Sequence, residues 1–381
     1  MRLPSSLLVV LALVSVAHAH HRQTPPIVAI TTSGDASLPR LPPPSRKAAA
    51  VVVDTTVAVV TPFRTPTVPA FTFASGANAN PSISSNGRIV AWDTDDDPLG
   101  SGAPGRQVVE QNLVVLQQVA VDPSGTSANP ALDLAGIAVA FESTADLAGT
   151  GNGGARQVFL RQLGGPVLQL SRGAGTSRNA SIALRNRLVV FESTSHPLTG
   201  DDTGIAQIWT AGLGTRTADP ITSALGPSTN PSVSNDGRLI VFESSADLAG
   251  DGHDTHTTQV YAYDTFSKTF ARLTGDLGGC ASATAIRIKR DWRIAYLCSG
   301  TAYFSMLRAN QRFQVATDGG DTTRLVPQAD AHFMLVATTA NLLGAGTTAG
   351  HRVYMVNLYK RPPTPVASAI TWFPTQGIPP L

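Results

Sequence analysis

Residues 230–248 read NPSVSNDGRLIVFESSADL, and this stretch decides the fold. Its two apolar runs are joined by Asp236-Gly237. An Asp-Gly pair between alternating apolar residues is typical of a tight β-hairpin, because both turn positions tolerate positive φ. Related stretches begin at three earlier asparagines, at intervals of 49, 50 and 51 residues: Asn80, Asn129 and Asn179. Such regular spacing indicates an array of β-strand repeats.

Each repeat predicts four antiparallel strands. The first begins at the asparagine, and the second ends in Phe-Glu-Ser or a variant of it. The third begins at a glutamine, and the fourth follows another turn. Two weaker copies follow, and in the first of them an alignment of 293–299 with 238–244 puts Cys298 at the position of Glu243. The sequence therefore predicts an all-β fold, a six-bladed β-propeller of four-stranded antiparallel blades.

The domain organisation follows from composition. Residues 1–19 combine one positive charge, an apolar run and Ala17-His18-Ala19, which is typical of a cleaved signal peptide. A membrane anchor is the alternative, but the run is about half of the roughly 20 residues that a spanning helix needs. Residues 20–66 are rich in Pro, Ala and Thr and predict a partly disordered lead-in. The propeller is expected over 67–372, with a loose tail over 373–381.

Closure of the ring needs an outer strand for the last blade, because an open ring exposes strand edges. Residues 68–73 and 366–372 compete for that position, and the sequence leaves the choice open.

Charge and cysteine content limit the environment and the partners. The 381 residues carry a net charge of +2 with 14% charged residues, so no nucleic-acid partner is expected. The signal peptide predicts a periplasmic or secreted protein that does not span the membrane, and we expect a monomer. Cys280 and Cys298 flank a predicted hairpin and are expected to form a stabilising disulfide, with two separate buried thiols as the alternative.

The repeat that begins at Asn230 resembles the TolB-like propeller repeat of exported bacterial proteins, and the copies at Asn80, Asn129 and Asn179 carry it as well. The resemblance covers about three-quarters of the chain that would remain after cleavage, and it implies the fold rather than an activity. TolB has an additional α/β domain, which 20–66 are too short to supply. Related peptidases carry a G-x-S-x-G nucleophile elbow, which this sequence lacks.

One acidic position recurs at the end of the second strand: Asp93, Glu142, Glu192 and Glu243. Four carboxylates around a channel are a candidate ligand-binding set for a cation or a cationic group. The alternative is a structural role, in which each carboxylate accepts hydrogen bonds from nearby backbone N–H groups or from a neighbouring blade and stabilises a repeated turn. Recurrence in every well-formed blade favours the structural role.

A second candidate lies in the loop 251–256, where Asp251, His253, Asp254 and His256 offer ligands suited to a divalent ion. The spacing matches no metal signature, and an exposed insertion is the alternative. We therefore expect no cofactor, with a divalent cation at this loop as the open exception. Arg88 and Arg238 are expected as solvated charges on the opposite side of the ring.

The sequence thus predicts an exported binding or scaffold module that uses the loops of a propeller. Its partner would be an envelope or extracellular protein, or a small ligand. The alternatives are a secreted propeller enzyme, a lyase or hydrolase with its active site in a central pocket, and a structural protein of the cell envelope. No residue is assigned to catalysis.

Overall fold

The computed structural model shows an all-β protein with 28 strands and, among the residues described, no helix. The structure describes residues 27–29, 36–37, 49–53, 56–60, 77–84, 88–102, 105–112, 115–120, 122, 124–151, 154–162, 164–183, 188–212, 217–223, 226–252, 256–275, 277–288, 291–315, 322–327, 333–341, 347–357 and 364–366.

Four sheets of four antiparallel strands follow the repeats in chain order. The first contains β5 (Asn78–Ile83), β6 (Val90–Thr94), β7 (Gln107–Gln111) and β8 (Leu116–Gln118). The second contains β9 (Ser127–Leu132), β10 (Ala138–Ser143), β11 (Gln157–Gln162) and β12 (Val167–Gln169). The third contains β13 (Ser177–Ala183), β14 (Leu188–Ser195), β15 (Asp202–Gly212) and β16 (Ala218–Pro220). The fourth contains β17 (Ser228–Val233), β18 (Leu239–Ser244), β19 (Gln259–Asp264) and β20 (Thr269–Arg272).

The last two repeats form the fifth and sixth sheets, each with a strand from elsewhere. The fifth contains β21 (Cys280–Ile288), β22 (Asp291–Cys298), β23 (Thr301–Met306) and β24 (Gln311–Val315), and β28 (Thr364–Val366) pairs outside β24. The sixth contains β25 (Thr322–Pro327), β26 (Phe333–Ala340) and β27 (Thr347–Asn357), with β1 (Ile27–Ala29) as its outer strand. A seventh sheet contains β2 (Ala36–Ser37), β3 (Ala49–Val53) and β4 (Thr56–Val60).

The same hydrogen bond recurs between neighbouring sheets of the ring. The hydroxyl of Ser82 accepts the backbone N–H of Leu132 at 2.9 Å, and the hydroxyl of Ser181 accepts that of Val233 at 3.0 Å. All these sheets therefore share one orientation, and the ring has two distinct sides. We call the side with the first-to-second and third-to-fourth strand connections the turn face. The loop face carries the second-to-third connections and the links between sheets.

The ring is closed by a strand from the N-terminal part of the chain. In β1, Ile27 pairs with Val356 of β27 in antiparallel register, which supplies the outer strand of the sixth sheet. Among the described residues, β1 takes the place for which the sequence offered two candidate segments. Residues 68–73 lie outside the described residues, and of 366–372 only Val366 is described, in β28 of the fifth sheet.

The six-blade count is not confirmed, because the described residues form seven sheets. In the three-stranded sheet, β3 and β4 lie against β5 of the first sheet and β2 lies against β27 of the sixth. The three-stranded sheet thus stands between the sixth sheet and the first. Its three strands, together with β1 of the sixth sheet, fall within 27–60, where the sequence predicted a partly disordered lead-in. The predicted signal peptide and C-terminal tail lie outside the described residues.

The core lies between neighbouring sheets and is built on the repeated aromatic position of the second strand. Four side chains at this position are at most 2% exposed: Trp92, Phe141, Phe191 and Phe242. Phe141 stacks on Phe159 at a centroid distance of 5.8 Å within its own sheet. These aromatic residues therefore belong to the core.

Cys280 and Cys298 form a disulfide, as predicted, and both are buried. The alignment of Cys298 with Glu243 is wrong by one residue. Cys280 pairs with Cys298 in the register in which Ser228 pairs with Ser244, so Leu297 occupies the position of Glu243. Ser228 and Ser244 are joined by a 3.0 Å hydroxyl hydrogen bond, and the disulfide replaces that bond in the fifth sheet.

Candidate functional site

The repeated asparagines stand at a kink in the innermost strand of each sheet. The register between the first two strands shifts at this residue, and its φ is positive: Asn80 47°, Asn129 52°, Asn179 61° and Asn230 52°. Asparagine tolerates the left-handed region better than most residues with a side chain. In the fifth sheet Ser282 takes this position with a φ of 57°.

Each recurring carboxylate joins two sheets at this kink. Asp93 accepts the side-chain amide of Asn80 at 2.8 Å and the backbone N–H of Asn129, in the next sheet, also at 2.8 Å. The pattern continues around the ring with Glu142 bonding Asn129 and Asn179, Glu192 bonding the backbone of Asn230, and Glu243 bonding Asn230 and Ser282. We call this arrangement the carboxylate latch. All four carboxylates are at most 6% exposed.

An arginine from the same sheet pairs with three of the four carboxylates. Arg106 and Arg156 precede the third strand and pair with Asp93 and Glu142. The third sheet has Ala206 at that position, and Arg178 on the first strand pairs with Glu192 instead, at 2.5 Å. In the third sheet the ion pair to the carboxylate therefore comes from a different strand, and the buried charge of Glu192 stays paired.

The latch ends at the fifth sheet, where Leu297 replaces the carboxylate. Leu297 packs in an apolar cluster with Leu325 and Val336 of the sixth sheet. The contact between the fifth and sixth sheets is thus apolar where the four preceding contacts are polar. The disulfide stands beside Leu297 in this sheet.

The glutamines that open the third strands are structural as well. Gln157 is fully buried and donates to the carbonyls of Gly173 and Gly175, in the link to the next sheet, at 2.9 and 3.0 Å. Gln259 accepts a 2.6 Å hydrogen bond from the hydroxyl of Thr274. The sequence predicts only that the third strand of each repeat begins at a glutamine. Their regular spacing of about 50 residues was the available signal for a repeated hydrogen bond.

The second-to-third connections on the loop face are built on a capping side chain. Asp97 accepts the backbone N–H groups of Ser101 and Gly102, both at 2.7 Å, and these hydrogen bonds, that of Ser101 first, lower its pKa. Asp146 and Asp247 cap the corresponding loops of the second and fourth sheets. In the third sheet His196 takes the position, and its Nδ1 accepts the backbone N–H of Thr199 at 3.2 Å. These loops are therefore fixed by their own hydrogen bonds.

The predicted metal loop is described only in part. Asp251 forms a 2.6 Å ion pair with Arg272, and His256 is exposed. His253 and Asp254 lie outside the described residues. Within the described ranges no group of three or more His, Cys, Asp or Glu side chains is placed to hold a metal ion.

The connections on the loop face are acidic. Among the described residues that join strands in the first six sheets, those on the loop face include eight Asp and three Arg, and those on the turn face include two Asp and four Arg or Lys. The small net charge of the whole chain conceals this separation. Sequence reasoning missed it because the overall balance was considered rather than the charge of each face. The prediction that Arg238 is a solvated charge is wrong, because Arg238 pairs with Asp264 at 3.1 Å, whereas Arg88 is exposed.

A small pocket opens beside the innermost strands of the first three sheets. Its described lining is Asn80, Pro81, Ser82, Asn129, Pro130, Ala131 and Ala180. This lining offers amide and hydroxyl groups but no titratable side chain.

Comparison with known proteins agrees with the propeller fold. No protein-family model matches the sequence, and neither does any curated protein. An oligogalacturonate lyase solved in complex with manganese matches with a TM-score of 0.61 and 10% identity, covering 87% of this chain and 92% of that one. A TolB described as putative, from Agrobacterium tumefaciens, matches with a TM-score of 0.45 and 14% identity, over 63% of this chain and 81% of that one. TolB from Acinetobacter baumannii matches with a TM-score of 0.40 and 14% identity, over 71% and 64%.

The chain therefore has the β-propeller fold, with four-stranded antiparallel blades of the kind the repeat predicted. Within the described part of the chain no helix is both long and apolar enough to cross a membrane.

Proposed function

We propose that this chain is an exported binding module whose loop face recognises a partner protein. The observation that carries the proposal is the exposure of apolar side chains on loops that are already fixed. Leu99 is 46% exposed beside the cap Asp97, and Leu198 is 38% exposed beside the cap His196. Fixed loops on a rigid ring lose little conformational entropy on binding, and exposed leucines supply apolar contact area.

The charge of the loop face indicates what kind of surface the partner presents. Eight Asp against three Arg among the described residues of the connecting segments favour a partner with a basic surface around an apolar centre. The four latch carboxylates, proposed from the sequence as a ligand-binding set, would act in this recognition as structural support. Their oxygens already accept protein hydrogen bonds.

The experiment is a capture assay with immobilised full-length protein and an extract of the periplasm or medium of the source cell. Wild type should retain one protein in stoichiometric amount, and a double variant, Leu99→Ser with Leu198→Ser, should lose it. Leu168→Ser is the matched control, because Leu168 is 37% exposed on the outer strand β12, away from both faces. The proposal would be contradicted if Leu168→Ser lost the captured protein to the same extent, or if the double loop variant still retained it.

The alternative is a secreted lyase or hydrolase with its active site in the central pocket. The described pocket lining lacks a side chain able to act as general acid or base. An assay of wild type against acidic oligosaccharides and peptides tests this alternative directly, and turnover of either class would favour it.

A further inference from the structure

The loop of residues 196–201 on the loop face differs from its counterparts in the chemistry of its cap. In the first, second and fourth sheets the residue four positions after the latch carboxylate is an aspartate that accepts backbone N–H groups of its loop. In the third sheet this residue is His196, whose Nδ1 accepts the backbone N–H groups of Leu198 and Thr199 at 3.3 and 3.2 Å. An imidazole nitrogen thus does here what a carboxylate does in the other sheets.

An imidazole can cap the loop only while it is neutral. A neutral ring has one nitrogen that accepts a hydrogen bond, whereas the protonated ring carries N–H on both nitrogens and accepts none. Protonated His196 would therefore direct an N–H group at two backbone N–H groups. Histidine is the side chain that ordinarily gains its charge between about pH 5 and about pH 8. Hydrogen bonds from Ser101 and Gly102 lower the pKa of Asp97, so the aspartate cap of the first sheet stays charged over that range.

The surroundings of the imidazole offer no charge to balance an added proton. Its ring meets that of Trp209 in β15 edge to face, with the centroids 4.8 Å apart. The link from the second sheet packs against the loop, since the backbone N–H of Arg172 donates to a loop carbonyl at 3.1 Å. The described charged side chains of these segments are Arg172 and Asp201, both exposed, and Asp201 accepts the hydroxyl of Thr199 at 2.7 Å. Among the side chains described, none forms an ion pair with His196.

Leu198 connects this cap to the recognition surface. Its backbone N–H is one of the two donors to His196, and its side chain is one of the exposed leucines on which the proposed function rests. We propose that His196 is a pH switch, whose protonation releases the loop 196–201, displaces Leu198 and weakens binding of the partner by the loop face. The effect on binding rests on the proposed function, whereas the opening of the loop does not.

Hydrogen exchange of the full-length protein, measured by mass spectrometry, tests the switch without a partner. Exchange is compared at about pH 8 and about pH 5, after correction for the intrinsic pH dependence of amide exchange. Protection of 196–201 should fall several-fold at the lower pH, while protection of 97–102 and 146–151 should not change. His196→Asp, which restores the residue of the other sheets, should keep its loop protected at both pH values. His256→Asp is the matched control, because His256 is exposed on the same face, and it should leave the pH response intact.

Unchanged protection of 196–201 at the lower pH, or an equal loss in His196→Asp, would overturn the proposal. The capture assay then tests the effect on binding. Partner held by wild type at about pH 8 should be released at about pH 5, whereas partner held by His196→Asp should stay bound. Release from both proteins would overturn the regulation, because the loop would not be its cause. Failure to capture any protein would overturn the proposed function and its regulation, while the exchange result would still decide whether the loop opens.

Discussion

Glu192 accepts a hydrogen bond from the backbone N–H of Asn230, which lies 38 residues later and in the next sheet, at 2.6 Å. The carboxylate is 1% exposed, and the arginine that balances it comes from its own sheet. A single side chain therefore ties one blade to the next at the point where the innermost strand kinks. The same bond recurs at Asp93, Glu142 and Glu243, so the geometry of the ring is set partly by charge.

Removing one latch carboxylate should destabilise the ring. Glu142→Ala would leave the side-chain amide of Asn129, the backbone N–H of Asn179 and Arg156 without their common acceptor. We expect the free energy of unfolding to fall by about 3 kcal/mol, since buried hydrogen bonds to a charged group are lost. Urea denaturation followed by tryptophan fluorescence measures the change. Asp201→Ala, an exposed loop carboxylate, should change it by less than about 0.5 kcal/mol, and equal effects would refute the latch.

The position of the arginine in the third sheet predicts a rescue. Arg178→Ala should lower the free energy of unfolding by about 1 kcal/mol, because the guanidinium is half exposed and its ion pair is partly screened. Adding Ala206→Arg should restore the loss, since Arg106 and Arg156 pair with their carboxylates from that same position. Thermal unfolding of the two variants compares them. A double variant no more stable than the single one would show that the two routes are not equivalent.

The disulfide can be compared with the hydrogen bond that takes its place in other sheets. Cys280→Ser with Cys298→Ser recreates the Ser228–Ser244 arrangement and should still fold. Opening a loop with a sequence separation of 18 should cost about 3 kcal/mol by chain entropy, of which a serine pair returns about 1 kcal/mol. The double alanine variant lacks that hydrogen bond and should be less stable. Equal stability of the serine and alanine variants would argue against the equivalence.

Glu110 should make the protein less stable as the pH rises. Burial raises its pKa above the ordinary 4.5, so the folded state retains the proton longer than the unfolded state. The free energy of unfolding then falls as the pH passes from 4.5 through the raised value. Glu110→Gln removes this loss, so it should stabilise the protein at about pH 7 and have little effect below 4.5.

Asp122 provides a control of opposite sign. Hydrogen bonds from Ser124 lower its pKa below 3.8, so its charged form stabilises the fold above that pH. Asp122→Asn should therefore weaken the protein at neutral pH and have no effect in strong acid. Unfolding curves of Glu110→Gln and Asp122→Asn, recorded in strong acid and at neutral pH, show whether each substitution raises or lowers the free energy of unfolding. A shift of the same sign for both would contradict the assigned causes.

The repeat predicted the fold well because its signals are local. The Asp236-Gly237 turn, the aromatic of the second strand and the regular spacing all depend on residues close in sequence, and the structure confirms the strands they indicate. The structural role favoured for Glu142 also agrees with its contacts. Its partner Asn179 was not predicted, because a hydrogen bond to a backbone N–H in the next sheet leaves no trace in residue type.

The errors arose where distant segments meet. The one-residue error at Cys298 came from aligning letters, whereas the register is fixed by pairing with Cys280. The closing strand has only three residues, Ile27–Ala29, and its partner lies near the other end of the chain. Strand propensity in so short a segment cannot show that it pairs at all. The charge separation of the faces likewise became visible only when strand ends assigned each loop to a side.

Closure through Ile27–Ala29 has a consequence for the order of events during synthesis. The strand that completes the sixth sheet is made among the first residues described, yet its partner β27 is made among the last. Blades in between can form as they emerge, but the circle stays open until translation has passed residue 357. Until then the free edge of β27, once formed, resembles an unpaired template for other chains. Folding yield should therefore depend on how long the nearly finished polypeptide is kept from its neighbours.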